Sequence, residues 1–123
     1  MESVLDEVRN FAKVEIRPFA AKFDANEKVS NELMSKMGER GYLAACFPKK
    51  YGGLGLDPIS YGRFTELIGK ECSSTRAILT VHSSLVGETL IRGGNTEQKD
   101  TLLPRMATGE KLAAFAQSEP DIG

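Results

Sequence analysis

Between Ser73 and Gly93 the apolar residues recur at spacings of three and four, which is the period of an α-helix with a wide apolar side. Ser73 or Ser74 can cap its start, and Gly93–Gly94 can end it, because glycine adopts the left-handed conformation of a helix stop. The pattern predicts a central helix, buried on most sides, with the other helices packed around it. Its apolar positions are Ile78, Leu79, Val81, Leu85, Val86, Leu90 and Ile91.

Small and polar residues interrupt the apolar side of this central helix and leave two interpretations open. Either the helix lines a cavity, or its small side chains let neighbouring helices approach closely. The interruptions also argue against a membrane span, which needs a longer unbroken apolar run. They are Thr80, His82, Ser83 and Ser84.

Two amphipathic segments precede the central helix at the start of the chain. The first runs from Ser3 to about Phe23, with a capping box between Ser3 and Asp6 and a kink or break at Pro18 near Arg17. The second begins at a Ser30 cap and ends at Gly41, with Leu33, Met34 and Met37 as its apolar positions.

Two further helices flank the central one. Asp57 and Pro58 together form a helix start, and this helix runs to about Cys72. Thr96 is predicted to cap a last helix, which Pro104 ends or kinks. Predicted core positions of the helix that begins at Pro58 are Ile59, Phe64, Leu67 and Ile68.

Two stretches depart from the helical period. Pro48–Pro58 contains three glycines and lacks the Gly-Lys-Ser/Thr of a phosphate loop, so we interpret it as a tight structural connection. From Leu112 the run LAAFAQSEPDIG predicts a strand entering a turn. A single strand at the end of a helical domain would leave its backbone donors and acceptors without partners. We therefore expect that a β-rich region begins at this strand.

These elements predict an all-α fold, an orthogonal bundle of about five to six helices around a central buried helix. Residues 1–111 form this helical domain. Residues 112–123 are interpreted as the first strand and turn of a β domain that is missing from the chain.

Composition narrows the classes of function. The 123 residues fit one domain, and a net charge of −1 gives no electrostatic case for nucleic acid or an acidic membrane surface. Cys46 and Cys72 are too few and too far apart for a zinc site, so we expect two free thiols and no metal. The N-terminus shows no signal peptide, which favours a cytoplasmic protein.

Little catalytic chemistry is visible in the residues themselves. His82 is the only histidine and lies in the most apolar helix, so we interpret it as a hydrogen-bonded core or cavity residue and not as a general base. No nucleophile, base and orienting acid occur in a recognisable arrangement. The residues alone indicate a helical domain that lines a cavity or packs closely.

Three stretches together resemble the flavin-dependent acyl-CoA dehydrogenases: PKKYGGLGLD, the TVHSSL of the central helix, and AFAQSEPDIG. The resemblance implies the N-terminal helical domain of that family, followed by the start of its middle β domain. It also implies FAD as cofactor and α,β-dehydrogenation of an acyl thioester. The family's catalytic base lies in a C-terminal helical bundle, so no catalytic residue is assigned here, and the chain alone is expected to be inactive and to bind FAD weakly.

The resemblance also implies site residues. Phe115, Gln117, Ser118 and Gly123 match positions that line or bond the flavin, and Ser118 stands where many members have threonine. Ile78, Val81 and Leu85 match positions that line the acyl-chain pocket, although a plain core role fits each of them equally well. His82 is expected to border this region without reacting.

The implied partners are an acyl thioester, carried by CoA or by an acyl carrier protein, and an electron acceptor such as an electron-transfer flavoprotein. Members of the family are commonly homo-oligomers, whereas no nucleic acid or membrane is implied. Two alternatives stay open: a flavin oxidase or monooxygenase of the same fold, and a non-catalytic helical interaction module.

Overall fold

The computed structural model describes residues 2–122 and shows the all-α fold that the sequence predicts. The α-helices in these residues are α1 Glu2–Phe11, α2 Ala20–Asn26, α3 Asn31–Glu39, α4 Pro58–Glu71, α5 Ser73–Leu79, α6 Glu88–Gly93 and α7 Thr96–Thr108. π-helical segments cover Ala12–Ile16 and Thr80–Gly87, and 3-10 turns cover Arg17–Phe19, Tyr42–Ala44 and Lys49–Tyr51.

The chain passes Pro18 through a change of helical register. The π segment Ala12–Ile16 ends with the Arg17 amide donating to the carbonyl five residues back. A 3-10 turn follows, closed by the Ala20 amide donating to the Arg17 carbonyl. The predicted disturbance near Arg17 is therefore confirmed, because proline has no N–H and its ring excludes the carbonyl one α-helical turn back.

Two predicted helix starts are confirmed in detail. The Ser30 hydroxyl accepts a 3.2 Å hydrogen bond from the Leu33 amide and begins α3. The Asp57 carboxylate accepts 3.0 Å bonds from the amides of Ile59 and Ser60 and begins α4. The prediction that Ile59 is a core residue is wrong, since its side chain is 74% exposed beside this cap.

Three other predicted caps are wrong. The first helix begins at Glu2, so Ser3 lies inside its first turn. Cys72 stands at the cap of the central helix without a side-chain bond, in place of the predicted serines. The last helix is capped by Asn95 and not by Thr96, because the Asn95 side chain forms a complete capping box with the residue three positions on.

Two helix ends also differ from prediction. The central helix does end at Gly93, but Gly94 has an extended backbone and not the left-handed one expected. The helix α7 continues through Pro104 to Thr108, so proline does not end it. The packing of Leu103 and Met106 against the core outweighs the one hydrogen bond that proline cannot donate.

The central helix is continuous from Ser73 to Gly93 as α5, the π segment and α6. It packs against α4, α7 and the 3-10 turn at Tyr42, which confirms its central place. Burial is one-sided and not on most sides as predicted. The buried residues are Thr75, Leu79, His82, Ser83 and Gly87.

The segment from Tyr42 to Leu56 contributes core and not only connection. Tyr42, Phe47, Tyr51 and Leu56 are all buried. A Cβ added at Gly53 would overlap the Phe47 carbonyl and lie 2.5 Å from the Phe47 Cβ, so glycine is required there by close backbone approach.

The strand predicted from Leu112 is not formed. Residues 112–118 have no regular secondary structure, and the described β pairing is one isolated bridge between Glu119 and Ile122. A strand is stabilised by hydrogen bonds to a neighbouring strand, and residues 2–122 contain no strand that could pair with this segment.

The core consists of two clusters of buried side chains. The larger one joins α1, α3, α4 and α5, and Phe64 and Ile68 lie in it as predicted. The smaller one joins Phe47, Tyr51 and α7, and the partly buried Ala113 packs against it. Among the described residues, no helix combines the length and the hydropathy that crossing a membrane requires.

Candidate functional site

The three apolar residues assigned to an acyl-chain pocket lie along the central helix with different exposures. Ile78 is half-buried and packs against the larger core cluster, which supports its plain core role. Val81 is half-buried, and Leu85 is 39% exposed. Val81 and Leu85 both lie in the π segment, whose turns are wider than those of an α-helix. This side of the helix therefore presents apolar surface outside the core of the described residues.

A partly buried hydrogen bond joins the central helix to α4. The Ser83 hydroxyl donates to the Leu79 carbonyl at 2.7 Å and shares a 2.8 Å bond with the Tyr61 hydroxyl. Burial raises the pKa of Tyr61, and it raises the pKa of the nearby Cys46 thiol to about 11. Both groups therefore stay neutral near pH 7, and Cys46 has little thiolate character.

His82 lies on the same helix, fully buried, and both of its ring nitrogens are used. Nε2 lies 2.9 Å from the Met106 carbonyl oxygen, and Nδ1 accepts the Ala113 amide at 3.0 Å. A carbonyl can only accept and an amide can only donate, so the ring is neutral with its proton on Nε2. Burial lowers the pKa of His82, in agreement with this neutral form. The interpretation of His82 as a hydrogen-bonded core residue is confirmed by this geometry.

The residues assigned to the flavin lie on the surface of the C-terminal segment. Phe115 is 57% exposed, and Gln117 and Ser118 are exposed as well. Gly123 lies outside the described residues. A hydrogen bond between Ala113 and His82 brings the start of this segment to the central helix. Among the described residues, the side chains assigned to the flavin form no hydrogen bond.

Reasoning from the sequence did not find the parts played by Tyr61, Ser83 and Ala113. The signal available for Ser83 was a small polar residue inside an apolar helix, which marks a position that needs a partner when buried. Tyr61 and Ala113 carry no comparable signal, because their partners are far away in sequence and meet only in the folded chain.

Two surface clefts lie elsewhere. One of about 420 Å³ opens between α2 and α3, beside Phe19, Phe23 and Leu33, and another of about 400 Å³ opens beside Met34 and Gly109. Neither is lined by the residues assigned to flavin or acyl chain. Within residues 2–122, no group of three or more His, Cys, Asp or Glu side chains is placed to hold a metal ion.

Comparison with known proteins decides the family. The model of the acyl-CoA dehydrogenase N-terminal domain matches residues 1–110. The chain belongs to the acyl-CoA dehydrogenase family. The resemblance inferred from the three motifs is thereby confirmed, and the helical architecture described above is that of this family's N-terminal domain.

Individual proteins and solved structures are also similar to this chain. The short-chain specific acyl-CoA dehydrogenase of Clostridium acetobutylicum is 39% identical over 122 residues, which are 99% of this chain and 32% of that protein. A chain in the structure of the electron transferring flavoprotein of Acidaminococcus fermentans is 33% identical with a TM-score of 0.91, covering 99% of this chain and 32% of that one. The glutaryl-CoA dehydrogenase of Mycobacterium smegmatis in complex with FADH2 is 29% identical with a TM-score of 0.90, covering 99% and 31%. The chain spans about a third of the length of the curated relatives it matches.

Proposed function

We propose that this chain is the N-terminal part of an FAD-dependent acyl-CoA dehydrogenase that oxidises a short-chain acyl-CoA between its α and β carbons. The observation that carries the proposal is the family match over residues 1–110, together with a structure that leaves both assigned surfaces uncovered. The short chain length follows the name of the Clostridium acetobutylicum relative. Thioesters on an acyl carrier protein form the alternative substrate class.

The side chains of the C-terminal segment fit a flavin by their chemistry. Gln117 offers an amide donor and acceptor, Ser118 a hydroxyl, and Phe115 an exposed aromatic face. In the proposed enzyme these groups hold the flavin ring, together with Gly123. When bound, FAD supplies the redox chemistry by accepting a hydride from the substrate β carbon.

The apolar side of the central helix supplies the acyl-chain surface in this proposal. Val81 and Leu85 exclude water from the acyl chain of the substrate and orient that acyl chain, and Ile78 supports both residues from the core. No residue of this chain is assigned to removal of the α-proton. We therefore expect residues 1–123 alone to show no turnover and only weak flavin binding.

The proposed electron acceptor is an electron-transferring flavoprotein, because a similar chain occurs in the structure of such a protein from Acidaminococcus fermentans. A homo-oligomeric assembly and a cytoplasmic location stay predictions that rest on the sequence. So does the division into residues 1–111 and 112–123.

The first experiment is the isolation of the native polypeptide from its source, with its intact mass and visible spectrum. We expect a mass well above 13.4 kDa and a flavin absorption band. Anaerobic addition of butyryl-CoA should bleach this band and form the α,β-unsaturated thioester. A colourless protein near 13.4 kDa would contradict the proposal and favour an interaction module. Oxygen consumption with hydrogen peroxide release would favour the oxidase.

The acyl-chain surface is tested by Val81→Phe in the native enzyme. We expect kcat/KM for the longest accepted acyl-CoA to fall by about tenfold or more, since a larger ring shortens the pocket, while butyryl-CoA is affected less. Val14→Phe is the matched control, because Val14 is 55% exposed on the first helical stretch and outside the assigned surface. An equal effect of both variants on every chain length would contradict the assignment.

A further inference from the structure

His82 joins the central helix to two later points of the chain, 24 and 31 residues away in sequence. Its ring belongs to the π segment of the central helix, its Nε2 donates to the Met106 carbonyl of α7, and its Nδ1 accepts the Ala113 amide. The side chain is completely buried, so water does not compete for either bond. Because the carbonyl can only accept and the amide can only donate, these two bonds select one tautomer and one ring orientation.

The Ala113 amide is the last anchored point before the exposed segment. Just before it, the Lys111 amide donates to the Arg105 carbonyl at 3.1 Å, and Ala113 itself packs against the smaller core cluster. Residues 114–118 are exposed and have no regular secondary structure. The bond to His82 therefore sets the point from which the assigned flavin residues leave the domain.

Few residues separate the Ala113 anchor from the side chains assigned to the flavin. Phe115 follows Ala113 by two residues and Gln117 by four, and an extended residue spans at most about 3.6 Å. A shift of the anchor by one ångström displaces the start of the exposed segment that carries these side chains. Misplacement of that size is enough to weaken an aligned hydrogen bond.

We propose that His82 is a positioning residue, which fixes the flavin-contacting segment to the central helix through its hydrogen bond to the Ala113 amide. The proposal rests on the proposed function, since it assumes that Phe115, Gln117 and Ser118 contact FAD. His82 touches neither cofactor nor substrate in this role. Its Nδ1 atom supplies a hydrogen-bond acceptor at a fixed position. The bond from Nε2 to the Met106 carbonyl keeps the ring proton on Nε2 and leaves Nδ1 free to accept.

Two amide variants of the native flavoprotein separate the two nitrogens. His82→Asn places its side-chain oxygen near the position of Nδ1 and keeps an acceptor for Ala113. His82→Gln reaches the position of Nε2 and keeps the bond to Met106 while losing the acceptor for Ala113. The Ser83→Ala variant is the matched control, because it removes a buried hydroxyl one residue away whose bonds go to Leu79 and Tyr61.

The readouts are the FAD dissociation constant of the apoprotein, the visible circular dichroism of the bound flavin, and hydrogen exchange of the Ala113 amide. We expect His82→Gln to weaken FAD binding about tenfold or more, the equivalent of one lost hydrogen bond, and to speed the exchange at Ala113. His82→Asn should stay within about threefold of the wild type with an unchanged dichroism band. Ser83→Ala should lower stability without changing either flavin readout.

Three results would overturn the proposal. One is a His82→Gln protein that is folded and binds FAD with wild-type affinity and dichroism. Another is a set of variants whose FAD affinity follows their stability alone, with Ser83→Ala affected as much as His82→Gln. A wild-type protein without flavin would instead overturn the proposed function and the positioning role with it, and this outcome is distinguishable because it needs no variant.

Discussion

At the scale of single residues, Phe47 packs closely against two glycines that are distant in sequence. It is fully buried, and its backbone lies against Gly53 while its ring lies against Gly87 of the π segment. A Cβ at Gly87 would come within 2.6 Å of the ring atom Cζ. These two glycines are therefore explained by contact with one phenylalanine, which is a close-packing role and not a phosphate-binding one.

We predict that Gly53→Ala lowers the free energy of unfolding by about 1–3 kcal/mol, because the added methyl group overlaps rigid backbone. Urea unfolding measures the change. Gly62→Ala is the matched control: its Cβ would meet nothing within 4 Å in the middle of α4, so the same substitution should stabilise by about 0.5–1 kcal/mol. Equal effects of the two variants would contradict this explanation.

Protonation of His82 makes the stability of the fold depend on pH near neutrality. Burial lowers its pKa, so near pH 6 the unfolded chain binds a proton that the folded chain does not. The contribution of His82 is fully present above its usual value of 6.5 and is lost as the pH falls below it. The carboxylates of Glu71 and Asp57, whose pKa values are lowered by the Arg17 guanidinium and the Ser60 amide, lose their contributions only in more acidic solution.

We expect the free energy of unfolding of the wild type to decrease between about pH 7 and about pH 5.5, as followed by urea unfolding. The His82→Asn variant should show a flatter dependence over the same range, because its amide does not titrate. Parallel curves for the two proteins would show that another group controls the effect.

At the scale of elements, the π segment Thr80–Gly87 is held by hydroxyl groups. The hydroxyls of Ser83, Ser84 and Thr89 each donate to the carbonyl four residues back, at distances of 2.7, 2.9 and 2.7 Å. In a π-helix the backbone amides bond five residues back, so the hydroxyls supply bonds at the α-helical spacing that the amides have left. The small polar residues of this helix thus serve its own backbone as well as its packing.

The start of α7 gives a prediction at the same scale. Asn95 and Gln98 bond each other's backbone amides at 2.8 and 2.9 Å, so Asn95→Ala should cost about 1 kcal/mol of unfolding free energy. The neighbouring Thr96→Ala, at the first helical position, should change it by less than about 0.5 kcal/mol. Thermal or urea unfolding of both variants decides whether Asn95 or Thr96 is the cap in solution.

At the scale of the whole molecule, the described residues form a helical body from which one segment extends. The body is closed by the two core clusters, and the segment is attached through Lys111 and Ala113. Its apolar side chains Leu112, Phe115 and Ile122 are exposed. Of these, Phe115 is assigned to the flavin, and we expect the complete proposed enzyme to cover it.

Hydrogen exchange measures this division directly. In the 123-residue chain we expect the Ala113 amide to exchange slowly, because it is bonded to a buried nitrogen, and the amides of Phe115, Gln117 and Ser118 to exchange at nearly unprotected rates. The Lys111 amide, bonded to Arg105, is an internal reference. Rapid exchange at Ala113 in the wild type would contradict the bond to His82.

The sequence predicted those features that a few neighbouring residues determine. Ser30 and Asp57 cap helices because their side chains reach amides two or three positions on, and the period of Phe64 and Ile68 places them in the core. The same reasoning failed at Ile59, where the helical period is right but the first turn of α4 lies outside the core. The prediction that the helix ends at Pro104 is also wrong, because tertiary packing outweighs a local preference, while a kink there stays a prediction.

By itself the sequence determined the helical class, the place of the central helix and, through three motifs, the family. These properties depend on local spacing and on residue identities that can be compared directly. Only the tertiary structure decided that Leu85 is exposed, that Gly53 and Gly87 serve Phe47, and that His82 holds Ala113. Each of these depends on atoms that are distant in sequence and become neighbours only when the helices pack.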